Sequence, residues 1–341
     1  MKFVISGYYF EITSLCNARC FYCYNNSGYE KHKSIEISLI EKIIREDESI
    51  SNKEIIISGG EPFLHKDIIK IISLINSKQI RCKIITNGTC LNKETLKLLK
   101  GMKITLQFSL NGLVSKTHDS ITTIRGSYKT ICTAIKYIKA NMPYIKTQIR
   151  YLIQRSNVNE IEDIKNSYLY QLADEVILDI LKFSGRESSD NHYFFDINEL
   201  FQVYHRIDEL KNEMSKISIP KLISICKFCE NSDNIHIYPR IDCFGYVYPC
   251  NLFCGNEYQI GNVVNESIPH MLNNNTMKNF LAICSSRKSN IENCSSCFAK
   301  EVCYGGCPGL SDICGNFYHE DVYCNLRKEY FLNKLRSAIT R

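Results

Sequence analysis

The most informative part of this sequence is the stretch Leu15–Tyr24, which reads LCNARCFYCY. Its three cysteines, Cys16, Cys20 and Cys23, follow the pattern C-x3-C-x2-C. Three thiolates in one short loop can bind three irons of a [4Fe–4S] cluster and leave the fourth iron without a protein ligand. A structural zinc site needs a fourth protein ligand, and this stretch holds no His or carboxylate to supply one. The loop therefore predicts a cluster with one iron open to a small ligand.

Composition narrows the class of protein. The chain has 341 residues, enough for one large domain or two moderate ones, and its apolar fraction of 44% is ordinary for a globular protein. The net charge of +6 is spread along the chain, without a basic block and interleaved aromatic residues of the kind that binds nucleic acid. No stretch of about 18 apolar residues exists. We therefore expect neither a nucleic-acid partner nor a membrane span.

Cysteine is the unusual residue. The sequence has 18 cysteines, and 12 of them lie between Cys226 and Cys324. Such clustering indicates a metal-rich or disulfide-rich segment. A secreted disulfide scaffold would usually be shorter and start with a signal peptide, whereas residues 1–11 lack a small-residue cleavage site. We therefore expect a reducing, low-oxygen cytoplasm as the location.

The first 215 residues read as alternating strands and helices. Apolar, β-branched runs predict strands at Val4–Ile12, Glu54–Ile57, Lys83–Thr86, Ile104–Leu110, Lys146–Ile153 and Glu175–Leu181. Helix-period segments predict helices at Ser38–Glu48, Asp67–Asn76, Asn92–Leu99, Ser127–Ala140, Asn157–Tyr168 and Asn198–Met214. Six β-α units in a row imply a parallel sheet with right-handed crossovers, too few to close an eight-stranded barrel. We predict an α/β fold, an open TIM-like (β/α)6 partial barrel whose functional face lies at the carboxyl ends of the strands.

After Pro220 the alternation stops, and Cys, Gly, Pro, Asn and Tyr dominate as far as Cys324. This segment has few periodic apolar residues, so metal ligation would have to supply part of its folding energy. A last helix is predicted at Asn325–Ile339. The predicted domains are a partial barrel over residues 1–215, a small cysteine-rich domain over residues 220–324 and a C-terminal helix within residues 325–341.

The cysteine loop, with the aromatic Tyr22 before its third cysteine, resembles the signature of the radical S-adenosylmethionine (SAM) superfamily. The turn Gly59-Gly60-Glu61, at the end of the next predicted strand, resembles the GGE motif of the same enzymes. The resemblance implies that the open iron binds the amino and carboxylate groups of SAM. It also implies that one electron cleaves the cofactor to a 5′-deoxyadenosyl radical and that the GGE turn binds the methionine amino group. Two glycines allow the backbone to approach a ligand closely.

A second stretch extends this resemblance. Ser109-x-Asn111, followed by Arg125, is similar to a family segment in which Asp usually stands where this chain has Asn111. By resemblance Ser109 contacts the ribose or carboxylate end of SAM. Arg125 pairs with the SAM carboxylate, for which a guanidinium fork is suited, or is a surface charge beside a helix. Asn87 contacts SAM or only shapes its turn, and Arg150 is a further candidate.

The C-terminal cysteines fit a second family pattern. Residues Cys294–Cys307 follow C-x2-C-x5-C-x3-C, and the segment Gly245–Cys250 fits G-x4-C. Together with the cysteines on either side, these spacings resemble the SPASM domain, which binds two auxiliary [4Fe–4S] clusters. Half a zinc ribbon is the alternative for an isolated cysteine pair. The resemblance implies an outer cluster held by Cys294, Cys297, Cys303 and Cys324, and an inner cluster held by Cys229, Cys250 and Cys307.

The sequence does not identify the fourth ligand of the inner cluster. We favour Cys226, which shares the loop before an apolar strand predicted at Ile235–Tyr238, and the alternatives are Cys243, Cys254 or an open site for a substrate. The expected cofactors are SAM and three [4Fe–4S] clusters, one that binds SAM and two that are auxiliary. The remaining cysteines lack cluster spacing and are treated as buried small hydrophobes or free thiols: Cys82, Cys90, Cys132, Cys284 and Cys314.

Within the superfamily, the segment Gly245–Gly261 looks closest to anaerobic sulfatase maturases. Those enzymes oxidise a Cys or Ser side chain and carry Asp directly after the equivalent of Cys250. This chain has Asn251 there, and an amide cannot take a proton as a carboxylate does. The resemblance favours a radical SAM/SPASM oxidoreductase that abstracts hydrogen from a peptide or protein. The product would be a cross-link, such as a thioether or carbon–carbon bond, or an oxidised side chain.

Two other functions stay open: a radical SAM dehydrogenase acting on a small molecule, and a non-catalytic zinc-binding module. The sequence does not identify a catalytic acid or base. Fifteen residues precede Cys16, so we expect a leader peptide to dock directly or through a separate binding protein. An electron donor such as flavodoxin or ferredoxin is the other expected partner.

Overall fold

The computed structural model describes residues 2–28, 32–182, 186, 194–219, 226, 228–230, 233–253, 255–313 and 316–339. Within them the strands are β1 (Lys2–Ile5), β2 (Gly7–Glu11), β3 (Glu54–Ser58), β4 (Arg81–Thr86), β5 (Ile104–Leu110), β6 (Lys146–Ile153), β7 (Glu175–Ile180), β8 (Ile217–Ser218), β9 (Asn234–Ile237), β10 (Arg240–Ile241), β11 (Tyr246–Tyr248) and β12 (Gly261–Asn262). The α-helices are α1 (Ile37–Glu46), α2 (Ile68–Ser77), α3 (Lys93–Leu98), α4 (Ser115–Thr122), α5 (Ser127–Asn141), α6 (Tyr168–Leu172), α7 (Ile197–Glu213), α8 (Ile268–Met271), α9 (Asn275–Asn290), α10 (Lys300–Cys303), α11 (Pro308–Ile313) and α12 (Cys324–Ile339).

Strands β2 to β8 form a parallel sheet in chain order, as the repeated β-α units predict. Sequential parallel strands need crossovers, and the helices between them supply these. Among the described residues no pairing joins β8 to the other edge of the sheet, so the barrel is open. The predicted α/β partial barrel is therefore confirmed.

The C-terminal region continues the same sheet. Strand β10 pairs in parallel with β2, with Arg240 opposite Tyr9, and β11 and β12 follow as antiparallel strands. The boundary predicted near residue 220 therefore separates two stretches of sequence but not two sheets. The division into residues 1–215, 220–324 and 325–341 stays a prediction.

Alternation along each strand separates a helix-facing side from an interior side. In β2, Tyr8 and Phe10 are almost fully buried in the main apolar core, whereas Tyr9 and Glu11 point to the opposite face. In β5 the core positions are Leu106, Phe108 and Leu110. The interior side of the partial barrel is consequently lined largely by polar residues, which suits a binding chamber rather than a second core.

Three local expectations differ from the structure. The strand predicted at Val4–Ile12 is two strands, because the Ser6 N–H bonds the Ile237 carbonyl at 2.9 Å while β1 pairs with β9. The helix predicted at Asn157–Tyr168 is a 3-10 helix at Val158–Asn166 followed by α6. The 16-residue helix α9 was not predicted, and it buries Met277 and Phe280 in the core.

No helix in the described part of the chain has the length and apolar character needed to cross a membrane.

Candidate functional site

The predicted SAM-site motifs lie at one edge of the sheet. The cysteine loop follows β2, the Gly59-Gly60-Glu61 turn follows β3, Asn87 follows β4 and Asn111 follows β5. Since β2 to β5 are neighbours in a parallel sheet, their carboxyl ends meet along one rim. The fold thus brings these four sequence segments together.

Backbone N–H groups in the cysteine loop point at sulfur atoms. The Ala18 N–H donates to Cys16 Sγ at 3.4 Å, and the Ser27 N–H donates to Cys23 Sγ at 3.4 Å. Burial raises the pKa of the Cys16 thiol to about 12 and that of Cys20 to about 11. Hydrogen bonds to sulfur favour the thiolate form that iron binds, so the loop fits an iron–sulfur cluster.

The Gly59-Gly60-Glu61 turn holds the cysteine loop directly. The Gly60 N–H donates to the Thr13 carbonyl at 2.6 Å, and the Glu61 N–H donates to the Leu15 carbonyl at 2.8 Å. A Cβ on Gly60 would stand 2.2 Å from the Leu15 oxygen, far inside van der Waals contact. The second glycine is therefore required by the close approach of the turn to the cysteine loop, in addition to the predicted approach to a ligand.

Glu61 joins the ends of two strands. Its fully buried carboxylate accepts hydrogen bonds from Thr86 Oγ1 and the Asn87 N–H, each at 2.7 Å, and from the Phe63 N–H at 3.2 Å. Burial raises the pKa of Glu61 to about 7, against these hydrogen bonds, which lower it. The side chain thus fixes the turns after β3 and β4 relative to each other.

Asn87 belongs to an amide network beside Cys16. Its Nδ2 donates to Asn17 Oδ1 at 2.9 Å, and its Oδ1 accepts from the Thr89 N–H at 2.9 Å. Asn17 Nδ2 in turn donates to Thr89 Oγ1 at 2.8 Å. This network attaches the cysteine loop to the turn after β4.

Asn111 and Tyr22 meet at the end of β5. Asn111 Nδ2 donates to the Tyr22 hydroxyl at 2.7 Å, and the Asn111 N–H donates to His118 Nδ1 at 3.1 Å. The Asn111 side-chain oxygen is buried and has no hydrogen-bond partner among the described residues. A buried acceptor without a partner is costly unless a ligand supplies a donor. This atom therefore fits a site for a polar cofactor.

Ser109 and Arg125 occupy different environments. Ser109 is half-buried on the interior face of β5, opposite Arg150 on β6. Arg150 is bound by the buried Asp179 of β7, with Nε 3.0 Å from Oδ2. Arg125 is exposed and makes no ion pair within the described ranges, but its turn reaches the cysteine loop because the Arg19 N–H donates to Thr123 Oγ1 at 3.2 Å.

A buried polar group inside the barrel was not predicted from the sequence. Arg240 of β10 pairs with Glu11 of β2 at 3.0 Å, and both side chains are 3–4% exposed. The Tyr24 hydroxyl donates to Glu11 at 2.6 Å and lies 3.4 Å from the Tyr9 hydroxyl. The sequence signal that could have indicated this group is Glu11, a carboxylate in an apolar strand that leads into the cysteine loop.

Four C-terminal cysteines share one cavity. Cys294, Cys297, Cys303 and Cys324, predicted to hold the outer cluster, all line it, and Arg327 lines it beside them. Arg327 donates to Asp321 at 2.5 Å, and Asp321 also accepts from the Cys307 N–H at 2.6 Å. The donor set and the enclosed space fit an iron–sulfur cluster.

The cysteines predicted for the inner cluster are also near one another. The thiols of Cys250 and Cys307 interact electrostatically with that of Cys226, and Cys226 contacts Cys229. Cys243 instead interacts with Ser14, which favours Cys226 as fourth ligand, although that assignment stays a prediction. The other alternative, Cys254, and the unassigned Cys314 lie outside the described residues.

No group of three or more His, Cys, Asp or Glu side chains in the described ranges converges on a single metal ion. A [4Fe–4S] cluster makes a different demand, because each thiolate binds a different iron. The four thiols that line the C-terminal cavity are consistent with that arrangement.

Comparison with known proteins gives two domain matches. The radical SAM superfamily matches residues 10–167, and the SPASM iron–sulfur cluster-binding domain matches residues 233–298. The chain is 29% identical over 330 residues to the subtilosin biosynthesis protein AlbA of Bacillus subtilis, covering 94% of this chain and 70% of that protein. It is 26% identical to a cysteine-type anaerobic sulfatase-maturating enzyme of Clostridium novyi, covering 94% and 92%. A probable GTP 3′,8-cyclase of Methanococcus maripaludis is 27% identical over 76% of this chain and 89% of its own length.

Solved structures show the same fold. Streptococcus suis SuiB bound to S-adenosylmethionine has a TM-score of 0.74 at 18% identity, covering 94% of this chain and 77% of that one. Native anSMEcpe with bound AdoMet has a TM-score of 0.74 at 17% identity, covering 99% of both chains. The chain thus carries a radical SAM domain at residues 10–167, and it is an enzyme. Its C-terminal region is a SPASM domain, so SAM and iron–sulfur clusters are its cofactors.

Proposed function

We propose that this enzyme modifies a peptide or protein oxidatively, by forming a cross-link or by oxidising a side chain. Its relatives include a bacteriocin biosynthesis protein and a sulfatase-maturating enzyme, each matched over 94% of this chain. SuiB, which shares the fold, was solved with its precursor peptide SuiA. When bound at the reduced cluster, SAM supplies a 5′-deoxyadenosyl radical, which takes a hydrogen atom from the substrate and leaves as 5′-deoxyadenosine.

The observation that carries the proposal is the presence of two kinds of cysteine site in one chain, a three-cysteine loop after β2 and a four-cysteine cavity among the C-terminal helices. The three-cysteine loop leaves one ligand position open for SAM, whereas the C-terminal cavity is lined by four cysteines and leaves none. The first arrangement suits cofactor cleavage and the second suits electron acceptance. A substrate radical needs an electron acceptor to become an oxidised product, and a cluster with full cysteine ligation can serve as one.

We propose three [4Fe–4S] clusters. Cys16, Cys20 and Cys23 hold the SAM-binding cluster, and eight further cysteines hold two auxiliary clusters. The outer set is Cys294, Cys297, Cys303 and Cys324. The inner set is Cys226, Cys229, Cys250 and Cys307.

For the SAM contacts we keep the predicted set of Tyr22, Gly59, Gly60, Glu61, Asn87, Ser109, Asn111 and Arg125. The unpartnered Asn111 oxygen supports a direct contact at the end of β5. Glu61 and Asn87 already bond within the protein, so their part is to hold the turns that face the cofactor. Arg125 is the exposed member, and it would reach the cofactor carboxylate from the rim.

The rim also holds a small buried apolar cluster. Phe21 of the cysteine loop, Leu152 at the end of β6 and Leu181 after β7 form an apolar cluster that is separate from the main core. Ile121 of α4 completes it beside Phe194. We propose that this buried cluster supports the rim beside the polar interior and helps to keep water away from a reactive radical.

A triple substitution tests cofactor cleavage. Cys16→Ala/Cys20→Ala/Cys23→Ala should abolish formation of 5′-deoxyadenosine from SAM and dithionite, while iron bound by the C-terminal region is retained. The matched control is Cys82→Ala/Cys132→Ala, which removes thiols of β4 and α5 that no proposed cluster uses, and it should keep both iron and cleavage. Cofactor cleavage by the triple variant would refute the proposal.

The substrate class is tested by mass change. Anaerobic incubation with SAM and a small peptide encoded beside the gene should produce a peptide lighter by two hydrogens. The second candidate is a small-molecule dehydrogenase. A small-molecule substrate is favoured by the GTP 3′,8-cyclase relative, which however matches 76% of the chain rather than 94%. An unchanged peptide together with turnover of a small molecule would select it.

We further propose a cytoplasmic location and reduction by a flavodoxin or ferredoxin. A separate leader-binding protein is the remaining proposed partner. Asn251 follows Cys250 where sulfatase maturases carry Asp, so we do not propose a sulfatase as the substrate.

A further inference from the structure

Arg287 is a buried cation at a core position. Helix α9 buries a stripe formed by Met277, Phe280, Cys284 and Arg287, with spacings of three and four residues. The Arg287 side chain is fully buried, although its position in the stripe is one that an apolar residue would normally fill. Burying a guanidinium is expensive unless an anion lies near it.

Hydrogen bonds within the protein satisfy only one of the three guanidinium nitrogens of Arg287. Its Nη2 donates to the Gly305 carbonyl and to Ser311 Oγ, each at 2.8 Å, and to the His319 carbonyl at 3.3 Å. Its Nε and Nη1 have no hydrogen-bond partner, and no carboxylate in the described part of the chain pairs with it. By contrast, the buried Arg240 and Arg327 each pair with a carboxylate. Arg287 is thus a buried positive charge with two nitrogen atoms, Nε and Nη1, that have no hydrogen-bond acceptor among the described residues.

Arg287 lies between the two sets of C-terminal cysteines. Its Nη2 bonds the carbonyl of Gly305, and Gly305 lines the cavity of the outer set together with Cys294 and Cys303. Its bond to Gly305 fixes the short link between Cys303 and Cys307, which belong to different sets. A guanidinium in this place is bonded to the link that joins the two proposed cluster sites.

Cluster chemistry supplies the missing anion. A [4Fe–4S] cluster with thiolate ligands is negatively charged, and reduction adds one more negative charge. A nearby cation and N–H donors to sulfur both stabilise the reduced form. We propose that Arg287 is a potential-setting residue, whose buried guanidinium raises the reduction potential of both auxiliary clusters. The inference rests on the proposed function, since it requires those clusters.

This role matters for the proposed reaction. Auxiliary clusters that accept an electron from a substrate radical must be easy enough to reduce. Arg287 would make that transfer more favourable without touching the substrate or SAM. It is therefore a positioning and electrostatic residue, not a catalytic one.

The test measures potentials rather than turnover. In the Cys16→Ala/Cys20→Ala/Cys23→Ala background, only the C-terminal clusters should contribute to an EPR-monitored redox titration. Arg287→Gln and Arg287→Met should lower the midpoint potential of these clusters by about 59 mV, which is a tenfold change in a one-electron equilibrium. Arg287→Lys keeps the charge and should stay near the parent value. Lys278→Gln removes an exposed charge from the same helix and should change nothing.

The outcomes separate the hypotheses. Unchanged potentials in intact Arg287→Gln and Arg287→Met proteins would overturn the inference and leave the proposed function standing. A background protein without C-terminal clusters would overturn both. Where the Gln and Met variants assemble no cluster, assembly of Arg287→Lys at the parent potential supports a need for the charge. If Arg287→Lys also assembles no cluster, the geometry of the guanidinium and not its charge is what assembly requires. The inference would then be wrong.

Discussion

The side-chain amide of Asn111 donates a 2.7 Å hydrogen bond to the hydroxyl of Tyr22, which joins the end of β5 to the residue before Cys23. The same hydroxyl interacts with the Cys20 thiol. Tyr22 thus connects the strand that carries the unpartnered Asn111 oxygen to the loop that is proposed to hold iron. The aromatic residue of the signature therefore has a structural role here, because its hydroxyl connects the end of β5 to the cysteine loop.

Removing that hydroxyl should slow cofactor cleavage. Tyr22→Phe leaves the Asn111 amide without its acceptor and takes a hydrogen bond from Cys20, and one such bond is worth about 1 kcal/mol. We expect 5′-deoxyadenosine to form roughly five- to tenfold more slowly, as measured by chromatography after reduction with dithionite. Tyr168→Phe, at an exposed tyrosine of α6, is the control. An unchanged rate in Tyr22→Phe would show that the bridge does not matter.

Gly60→Ala should remove the first cluster selectively. The new Cβ would stand 2.2 Å from the Leu15 carbonyl oxygen and 3.1 Å from the Cys16 Cβ, so the cysteine loop must move. We expect loss of SAM-dependent spectral change while the C-terminal iron is kept. Gly101→Ala is the control, because Gly101 has a φ of +85° but a Cβ there would meet no atom within 4 Å. This variant should lose about 1 kcal/mol of stability to backbone strain and should keep its full iron content. Full iron content in Gly60→Ala would contradict the proposed fit.

Most of the barrel could be predicted from sequence because its signals are local. Strands β5 and β6 begin and end where their β-branched runs do, and α5 starts at Ser127 as predicted. The cysteine spacings likewise sit inside short loops, where distance along the chain limits distance in space. These features need no tertiary information.

What escaped prediction depends on partners far along the chain. The pairing of β10 with β2 joins residues more than two hundred positions apart, and nothing in either strand specifies it. Helix α9 was missed because Cys284 and Arg287 stand in its buried stripe, so its apolar pattern is interrupted. We infer that the partner of Arg287 is a cofactor, which the amino-acid sequence does not contain.

Acid should destabilise the fold through His118. Its fully buried ring accepts the Asn111 N–H at Nδ1, and burial lowers the pKa of His118 from 6.5 to about 4, against the nearby Asp119, which raises it. Between these values the unfolded chain binds more protons than the folded one. Stability therefore increases with pH across this window, is complete above about 6.5, and is lost as the pH falls towards 4.

The contribution of His118 to the free energy of unfolding, once fully developed, is on the order of 3 kcal/mol. His118→Asn cannot take this proton, so its free energy of unfolding should depend less on pH between 7 and 5 than that of the parent. Anaerobic urea titrations followed by circular dichroism at the two pH values measure the difference. Equal pH dependence in the two proteins would exclude His118 as the source.

The ion pair between Glu11 and Arg240 should act as one unit in holding the C-terminal region to the barrel. The pair lies at the junction of β2 and β10, and the Arg240 guanidinium also stacks 3.8 Å from the centre of the Tyr248 ring. Removing one partner leaves the other as an uncompensated buried charge. Glu11→Gln or Arg240→Met alone should therefore cost about 3–5 kcal/mol of unfolding free energy.

The double variant Glu11→Gln/Arg240→Met should cost clearly less than the sum of the single variants, because it leaves no lone charge. Lys97→Met, which breaks the exposed pair with Glu94, is the control and should change stability by less than about 0.5 kcal/mol. Urea titrations of the four variants and the parent measure the free energies of unfolding. Additive single costs would mean that the two side chains stabilise their strands independently, and the junction would then depend on the backbone pairing of β2 with β10 rather than on this charge pair.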